Sequence, residues 1–273
     1  MSSDPQSAGS GLNMSVDIVI PVLNHLHYTK QCLETLFAHA ESPLQVIVVN
    51  NGSSDGTAEY LASQSELTVI SNENNRGCAA AWNQGVLAGE SPWVVILNND
   101  VLLPKGWLEG LLSYARESGA DIVSPAMRGG PCDYDVEAYA AGYMQAMAGV
   151  SRKGEAHGVC FMVKRSVFEK IGYFDENFRI GQYEDADFFR RARMGGCVLG
   201  VTGRSFIHHF GSVTQNTLKD DKATRPYEAE NRAYFRRKWR LNWIKRFLLR
   251  QQMKVKFIAW RLSEKLFHGY TIY

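Results

Sequence analysis

Three short apolar runs in the first part of the chain each end in a cluster of polar side chains. Val16–Val22 (VDIVIPV) leads into Leu23-Asn24. Leu44–Val49 (LQVIVV) leads into Asn50-Asn51-Gly52-Ser53-Ser54-Asp55-Gly56, and Trp93–Leu97 (WVVIL) into Asn98-Asn99-Asp100. Runs this short, continuous and apolar suit strands buried on both faces. Between them lie helical spacings: Leu33, Leu36 and Phe37, then Thr57–Ala62, an Ala-rich Cys78–Ala88, and a stretch after Pro104. With Leu67–Ser71 as a third strand and Asp121–Ser124 as a fifth, the order is β-α-β-α-β-α-β-α-β. That order specifies an α/β fold with a mostly parallel sheet flanked by helices. Such sheets bind ligands outside the carboxyl ends of their strands. The clusters Pro21–Asn24, Asn50–Asp55 and Asn98–Asp100 are therefore expected to share one crevice.

Several classes are disfavoured. No GxGxxG follows the first strand and no GxxxxGK[ST] occurs, against a dinucleotide oxidoreductase or a P-loop enzyme. No apolar stretch approaches the roughly 20 residues of a membrane span. Residues 1–14 are small and polar and lack a signal-peptide core, so a disordered leader is expected there. Five scattered cysteines without a CxxC pair suggest reduced thiols and a cytoplasmic setting.

The formal net charge of +2 hides an asymmetry. Residues 232–265 hold 12 Lys and Arg against one acid, Glu264; the rest holds 18 basic and 27 acidic residues, a net of −9. Phe235, Trp239, Trp243, Phe247 and Leu248 recur at helical spacing within this basic segment, followed by Phe257, Trp260 and Leu262. A basic amphipathic helical extension over 216–273 follows from that pattern. It either packs on the acidic body or lies on an anionic membrane.

The candidate chemistry comes from acids and imidazoles. Asp100 ends the fourth strand. Glu184-Asp185, with Asp187, opens a helix (EDADFFRRARM) after Gly181-Gln182-Tyr183, and His208-His209 ends a strand over Ser205–Ile207. One carboxylate and one imidazole can hold a divalent cation when a bound phosphate supplies further oxygens. A second carboxylate nearby can act as general base. Each group also has an ordinary structural use: paired amides build turns, and acids at a helix start favour its dipole.

The motifs DIVIPVLN, VIVVNNGSSDGT, NENNRGCAAAWNQG, VVILNNDV, GVCFMVKRSVFEKIGYFDENF, YEDADFFRRARMGG and IHHFGS occur in that order. Over roughly residues 15–215 the chain resembles glycosyltransferase family 2, inverting enzymes of GT-A fold. The resemblance implies transfer of a sugar from a UDP-, dTDP- or GDP-sugar to an acceptor hydroxyl, usually with Mg²⁺ or Mn²⁺. A rhamnose-like dTDP donor and a role in polysaccharide or glycoconjugate assembly rest on the resemblance alone.

Carried over residue by residue, Asn98-Asn99-Asp100 stands at the family's DxD, with Asp100 the metal-binding acid and Asn98 in place of the first acid. His208 matches the later metal histidine, with His209 the alternative. Asn50 stands where relatives contact uracil with an aspartate; an amide complements the pyrimidine N3 edge. Asn51, Gly52, Asp55, Asn75, Arg76, Gly77 and Asn83 match the remaining nucleotide side, beside Pro21, Val22 and Asn24. Gly77 is expected to let backbone approach the nucleotide. Asp185 matches the base, with Glu184 or Asp187 as alternatives, and Arg190 or Arg191 is expected on the diphosphate or the acid pair. The acceptor, a saccharide or a lipid- or protein-linked group, is expected against 126–157 and 180–184. The implied setting is cytoplasmic, with peripheral contact at the inner face of the plasma membrane, and no nucleic-acid partner is implied. The rival readings are a sugar-nucleotide-binding protein without catalysis, which the two Asn replacements favour, and a nucleotidyltransferase. The latter usually needs a Gly-rich basic first loop, where this chain has IPVLNHLHY.

Overall fold

A computed structural model of the chain describes residues 15–40, 44–211 and 227–273. The expected leader over 1–14 and the expected boundary near 215 lie outside the described residues. Strands β1 (Val16–Val22), β2 (Leu44–Asn50), β3 (Leu67–Ser71) and β4 (Trp93–Leu97) alternate with helices α1 (Leu26–Ala38), α2 (Thr57–Ala62) and α3 (Cys78–Ala88). Then follow β5 (Val101–Leu102), α4 (Trp107–Ser118), β6 (Ile122–Gly129), α5 (Val136–Met147), β7 (Ser151–Lys153), β8 (Cys160–Lys164), α6 (Arg165–Ile171), α7 (Glu184–Met194) and β9 (Leu199–His209). Two helices close the chain, α8 (Tyr227–Lys238) and α9 (Trp243–His268).

One sheet runs in the order β3-β2-β1-β4-β8-β6-β9-β5, with β7 also on β9. Its first half is parallel, as the alternating pattern requires: β1 pairs with β2 and β4, and β2 with β3. Its second half is mixed. β8 runs antiparallel to β4 and β6, and β9 is parallel to β6 but antiparallel to β5 and β7. Strand β4 is wholly buried, and cores lie on both faces of the sheet. A smaller core gathers Ala140, Tyr143 and Met147 of α5 against Val201 and Phe206 of β9 and Ile272 near the C-terminus.

The short strand β5 accounts for the renewed apolar run after Asn98-Asn99-Asp100. The chain leaves β4 and pairs again, Val101 against His209 and Leu102 against His208. The Phe210 N–H donates to the Asp100 carbonyl at 3.0 Å. The polar triplet is thus a crossover between two strands, carried to the end of β9. Helix α5 and strand β7 form within residues 126–157, which are rich in Gly, Ala, Tyr and Met and carry little periodicity, and β6 continues past Pro125 through a register shift.

Candidate active site

The first two strand ends are stitched together. Asn24, in left-handed backbone (φ 57°), donates its N–H to Ser53 Oγ at 2.8 Å and accepts from the Ser54 N–H at 2.7 Å. Pro21 and Val22 end β1, and the Val22 carbonyl accepts from the Asn51 N–H at 2.8 Å. Asp55 accepts from the Leu26 N–H and from Thr57, so it ties the starts of α1 and α2. Asn50 Oδ1 accepts from the Ser53 N–H at 3.0 Å, which leaves it one further lone pair.

Asn51 is a hub. Its Nδ2 donates to Asn75 Oδ1 and the Gly77 carbonyl, and its Oδ1 accepts from Asn72 Nδ2 and the Arg76 N–H. A side-chain amide has two N–H groups and two strong lone pairs, so Asn51 is spent inside the protein. Asn51 thereby positions the loop over residues 72–77. Asn83 is also turned inward, its Nδ2 donating to the Phe174 carbonyl and Glu176 and its Oδ1 accepting from the Phe174 N–H, and Asn99 Nδ2 donates to Thr29. Gly77, at φ 87°, packs on another loop: a Cβ there would lie 3.0 Å from the Ile180 nitrogen. Gly52 packs on Asn74 in the same way, while Arg76 is exposed.

Across the cleft, Glu184 and Asp185 form the first turn of α7, a helix with acids at its start and arginines at its end, as its dipole favours. Asp185 Oδ1 accepts from the Ala186 N–H at 2.7 Å. The other oxygen lies 2.3 Å from where a Cβ on Gly158 would stand, so only glycine at 158 leaves room for it. Burial, then the neighbouring Asp185, pushes the Glu184 carboxyl up to about 8. Burial also raises Asp185, against hydrogen bonds from Ala186 and Gly158. Asp187 is the third acid of that turn, but it faces away from this role: it is fully buried and paired with Arg191 Nε (2.8 Å), Lys238 Nζ (2.8 Å) and Trp239 Nε1 (3.0 Å). Arg191 also donates to the carbonyls of Ile171, Gly172 and Tyr173, and the Arg190 guanidinium lies over Trp239 at 4.7 Å. Arg191 thus braces α7 and Arg190 stacks on Trp239, its Nε without a hydrogen-bond partner.

The approach to α7 is strained. Ile180, Gln182 and Tyr183 have φ of 61°, 73° and 75°, and none is glycine. Such conformations cost about 1–3 kcal/mol each and persist only when their surroundings impose them.

A cavity of about 430 Å³ lies against the acid pair, lined by Asn98, Gly158, Gln182, Tyr183, Glu184, Asp185 and His209, with Cys78 and Trp82; of the three strand-end clusters, Asn98 alone is on its lining. His209 Nε2 stands 3.3 Å from Asp100 Oδ1, without hydrogen-bond geometry. His208 turns elsewhere: its Nδ1 shares a 3.0 Å hydrogen bond with the Tyr134 hydroxyl and its ring meets Phe210 edge-on. The histidine beside Asp100 is therefore His209, the alternative of the pair rather than His208. Among the described residues no group of three or more His, Cys, Asp or Glu gathers to hold a metal ion. Asp100 and His209, 3.3 Å apart and with His209 on the cavity lining, are donor types that fit a divalent cation taking its other ligands from phosphate oxygens, and the buried Nε2 of both His209 and His208 lacks a hydrogen-bond partner.

The profile of glycosyl transferase family 2 matches residues 17–172. An uncharacterized glycosyltransferase of Bacillus subtilis, YwdF, is 28% identical over 223 residues, 78% of this chain and 80% of that one. Glycosyltransferase AglE of Haloferax volcanii is 26% identical, covering 76% of this chain and 72% of its own length. The crystal structure of S. aureus TarS 1-349 superposes with a TM-score of 0.57 at 18% identity, over 73% of this chain and 61% of that one. Its complex with UDP-GlcNAc superposes with a TM-score of 0.56 at 18% identity, over 71% and 58%. This chain thus spans less than two thirds of those structures, and 37% of the pneumococcal glycosyltransferase GlyG. The strand-end loops, the acid pair of α7 and the imidazole of β9 are laid out on a sheet shared with TarS, and the family profile runs through more than half of the chain: the chain belongs to glycosyl transferase family 2.

Proposed function

We propose that this chain moves a sugar from a nucleoside-diphosphate sugar to an acceptor hydroxyl with inversion at the anomeric carbon, Asp185 taking the hydroxyl proton. The observation that carries this is the acid pair at one wall of the cavity, Glu184 buried and Asp185 half-buried, with Asn98 and His209 on the strand-end side. Partial desolvation raises the Asp185 carboxyl, which makes its carboxylate a stronger base than a fully solvated one. The acceptor oxygen bonds to the anomeric carbon as the bond from that carbon to the diphosphate oxygen breaks. The hydroxyl proton goes to Asp185, and the nucleoside diphosphate leaves with the electron pair. A Mg²⁺ or Mn²⁺ ion held by Asp100 and His209 would offset the charge on the departing diphosphate. The co-crystallisation of TarS with UDP-GlcNAc supports a uridine nucleotide, and the amide of Asn50 supports UDP or dTDP over purine nucleotides. The test is release of UDP, dTDP or GDP from a panel of nucleotide sugars, rhamnose donors included, with and without Mn²⁺. Release of pyrophosphate instead would mark a nucleotidyltransferase, and binding without release a non-catalytic sugar-nucleotide protein.

We further propose a cytoplasmic setting in which α9 rests on an anionic membrane that carries the acceptor. No helix among the described residues is long and apolar enough to cross a membrane. Helix α9 packs by one side, through Phe257, Trp260 and Glu264. Its other side exposes Ile244, Leu248, Val255, Ile258, Leu262 and Leu266. These fall at helical spacing, with Arg250, Lys254, Arg261 and Lys265 along one border. An apolar stripe with a basic border matches an anionic lipid surface. Against a second copy of the chain, the basic borders would repel. Co-sedimentation of the full chain with phosphatidylglycerol vesicles, lost on Ile258→Glu/Leu262→Glu and absent with phosphatidylcholine vesicles, is the expected result. Dimerisation that the same substitutions abolish, without vesicle binding, would refute it.

A further inference from the structure

The loop that strains into the acid pair, like helix α8 that holds it, lies beyond residues 17–172 that the family profile matches. Asn231 of α8 is 1% exposed and spends its whole side chain on that loop. Its Oδ1 accepts from the Arg179 N–H at 2.9 Å, and its Nδ2 faces the carbonyls of Arg179 (2.8 Å), Gly181 (2.7 Å) and Gln182 (3.2 Å). Two hydrogens serve three carbonyls, so one is shared. Further along α8, Glu228 accepts from Gln182 Nε2 at 2.9 Å, and Arg232 Nε donates to the Tyr183 hydroxyl at 3.3 Å. On its opposite flank the loop meets the donor-side helix: the Ile180 carbonyl accepts from the Cys78 N–H at 2.8 Å, over the bare face of Gly77.

Tyr183 is the N-cap of α7 and makes no side-chain cap of its own. The direction in which Glu184 and Asp185 leave it is set by the left-handed backbone at 180, 182 and 183. Isoleucine, glutamine and tyrosine relax from that region unless held. Asn231 binds the backbone on both sides of Gly181, where relaxation would begin.

We propose that α8 is a clamp on this loop and that Asn231 is a positioning residue for the transfer reaction, acting through Asp185. The proposal rests on the reading of Asp185 as the base.

The test uses the full chain and UDP release from the best donor of the panel, with calorimetry on UDP. Asn231→Ala is expected to lower kcat by about 10²-fold, the scale of a base displaced by about 1 Å. UDP affinity and stoichiometry should stay unchanged, which separates displacement from partial unfolding. Tyr234→Phe, on the same helix, loses a 2.8 Å bond to Asp175 and should leave kcat unchanged. In an Asp185→Asn background, Asn231→Ala should cost less than about twofold, because residues acting as a unit are not additive. Asn231→Ser keeps an acceptor for the Arg179 N–H and repeats the test with a smaller loss if the alanine variant is insoluble. Equal fold-losses in both backgrounds, or UDP stoichiometry falling in step with activity, overturn the clamp. Full turnover by Asp185→Asn alone overturns the base assignment and the proposal with it.

Discussion

The Arg152 guanidinium makes a two-pronged, buried ion pair with Glu264, Nε to Oε1 at 2.7 Å and Nη2 to Oε2 at 2.8 Å. Phe257, Trp260 and Tyr273 surround the guanidinium at 5.4, 5.3 and 4.6 Å, and Glu264 Oε2 also accepts from the Ile272 N–H. This pair joins β7 to α9 and pins the C-terminal residues. Breaking a buried pair strands the remaining charge. Glu264→Ala should therefore destabilise by about 3–5 kcal/mol in urea unfolding, whereas Arg152→Met/Glu264→Leu should cost less than the single change. A double variant less stable than the single one would refute this.

Asp185→Asn should leave UDP affinity intact and lower turnover by about 10²–10⁴-fold, the range of a lost general base. Asp187→Asn should act mainly on stability, since Asp187 is committed to Arg191, Lys238 and Trp239. Turnover near that of the unaltered protein in purified Asp185→Asn would move the base to Glu184.

Glu184 gives a pH signature. Its folded pKa, about 8, lies above the ordinary carboxylate value of 4.5. A raised folded pKa contributes stability that is whole below the unfolded pKa, falls as pH rises, and is gone above the folded one. Glu184→Gln, neutral at every pH, should therefore gain in melting temperature relative to the unaltered protein between about pH 5 and 8. Calorimetric scans across that window check it, and parallel curves would show that the carboxyl ionises in the folded protein as it does in the unfolded chain.

Chelation by EDTA should abolish turnover, and Mn²⁺ should restore it. Asp100→Ala and His209→Ala should each raise the Mn²⁺ concentration needed for half activity, while His208→Ala should not. A metal requirement that moves with His208 alone would return the role to the residue bound to Tyr134.

UDP and dTDP should raise the melting temperature more than GDP or ADP at equal concentration, through linkage of binding to folding. The basis is the remaining lone pair and the amide of Asn50. A larger shift with GDP, or an Asn50→Ala variant that keeps the pyrimidine preference, would remove Asn50 from base recognition.

Much of the fold was legible because its signals are local. The apolar runs of β1, β2 and β4, the turn-rich clusters after them and the acid-led start of α7 each lie within about ten consecutive residues. Residues 126–157 were poorly legible because α5 and β7 draw their order from β9 and the C-terminal residues, not from a periodicity of their own.

By itself, the sequence determined the α/β order, the placing of three polar strand ends along one edge of parallel neighbours and the motifs of the family. These follow from which side chains shun water and which residues permit turns. Only the tertiary structure decided what each polar group is for. It turned Asn51 and Asn83 inward, onto partners 25 and 91 residues away. It paired Asp187 with Lys238 and left Asp185 facing the cavity, though the two acids share one helical turn. It set His209 rather than His208 beside Asp100. It also brought Asn231 onto a loop 50 residues upstream. A polar side chain's role depends on which donors and acceptors the fold brings within about 3 Å and whether water still reaches it. Neither is written in its neighbours along the chain.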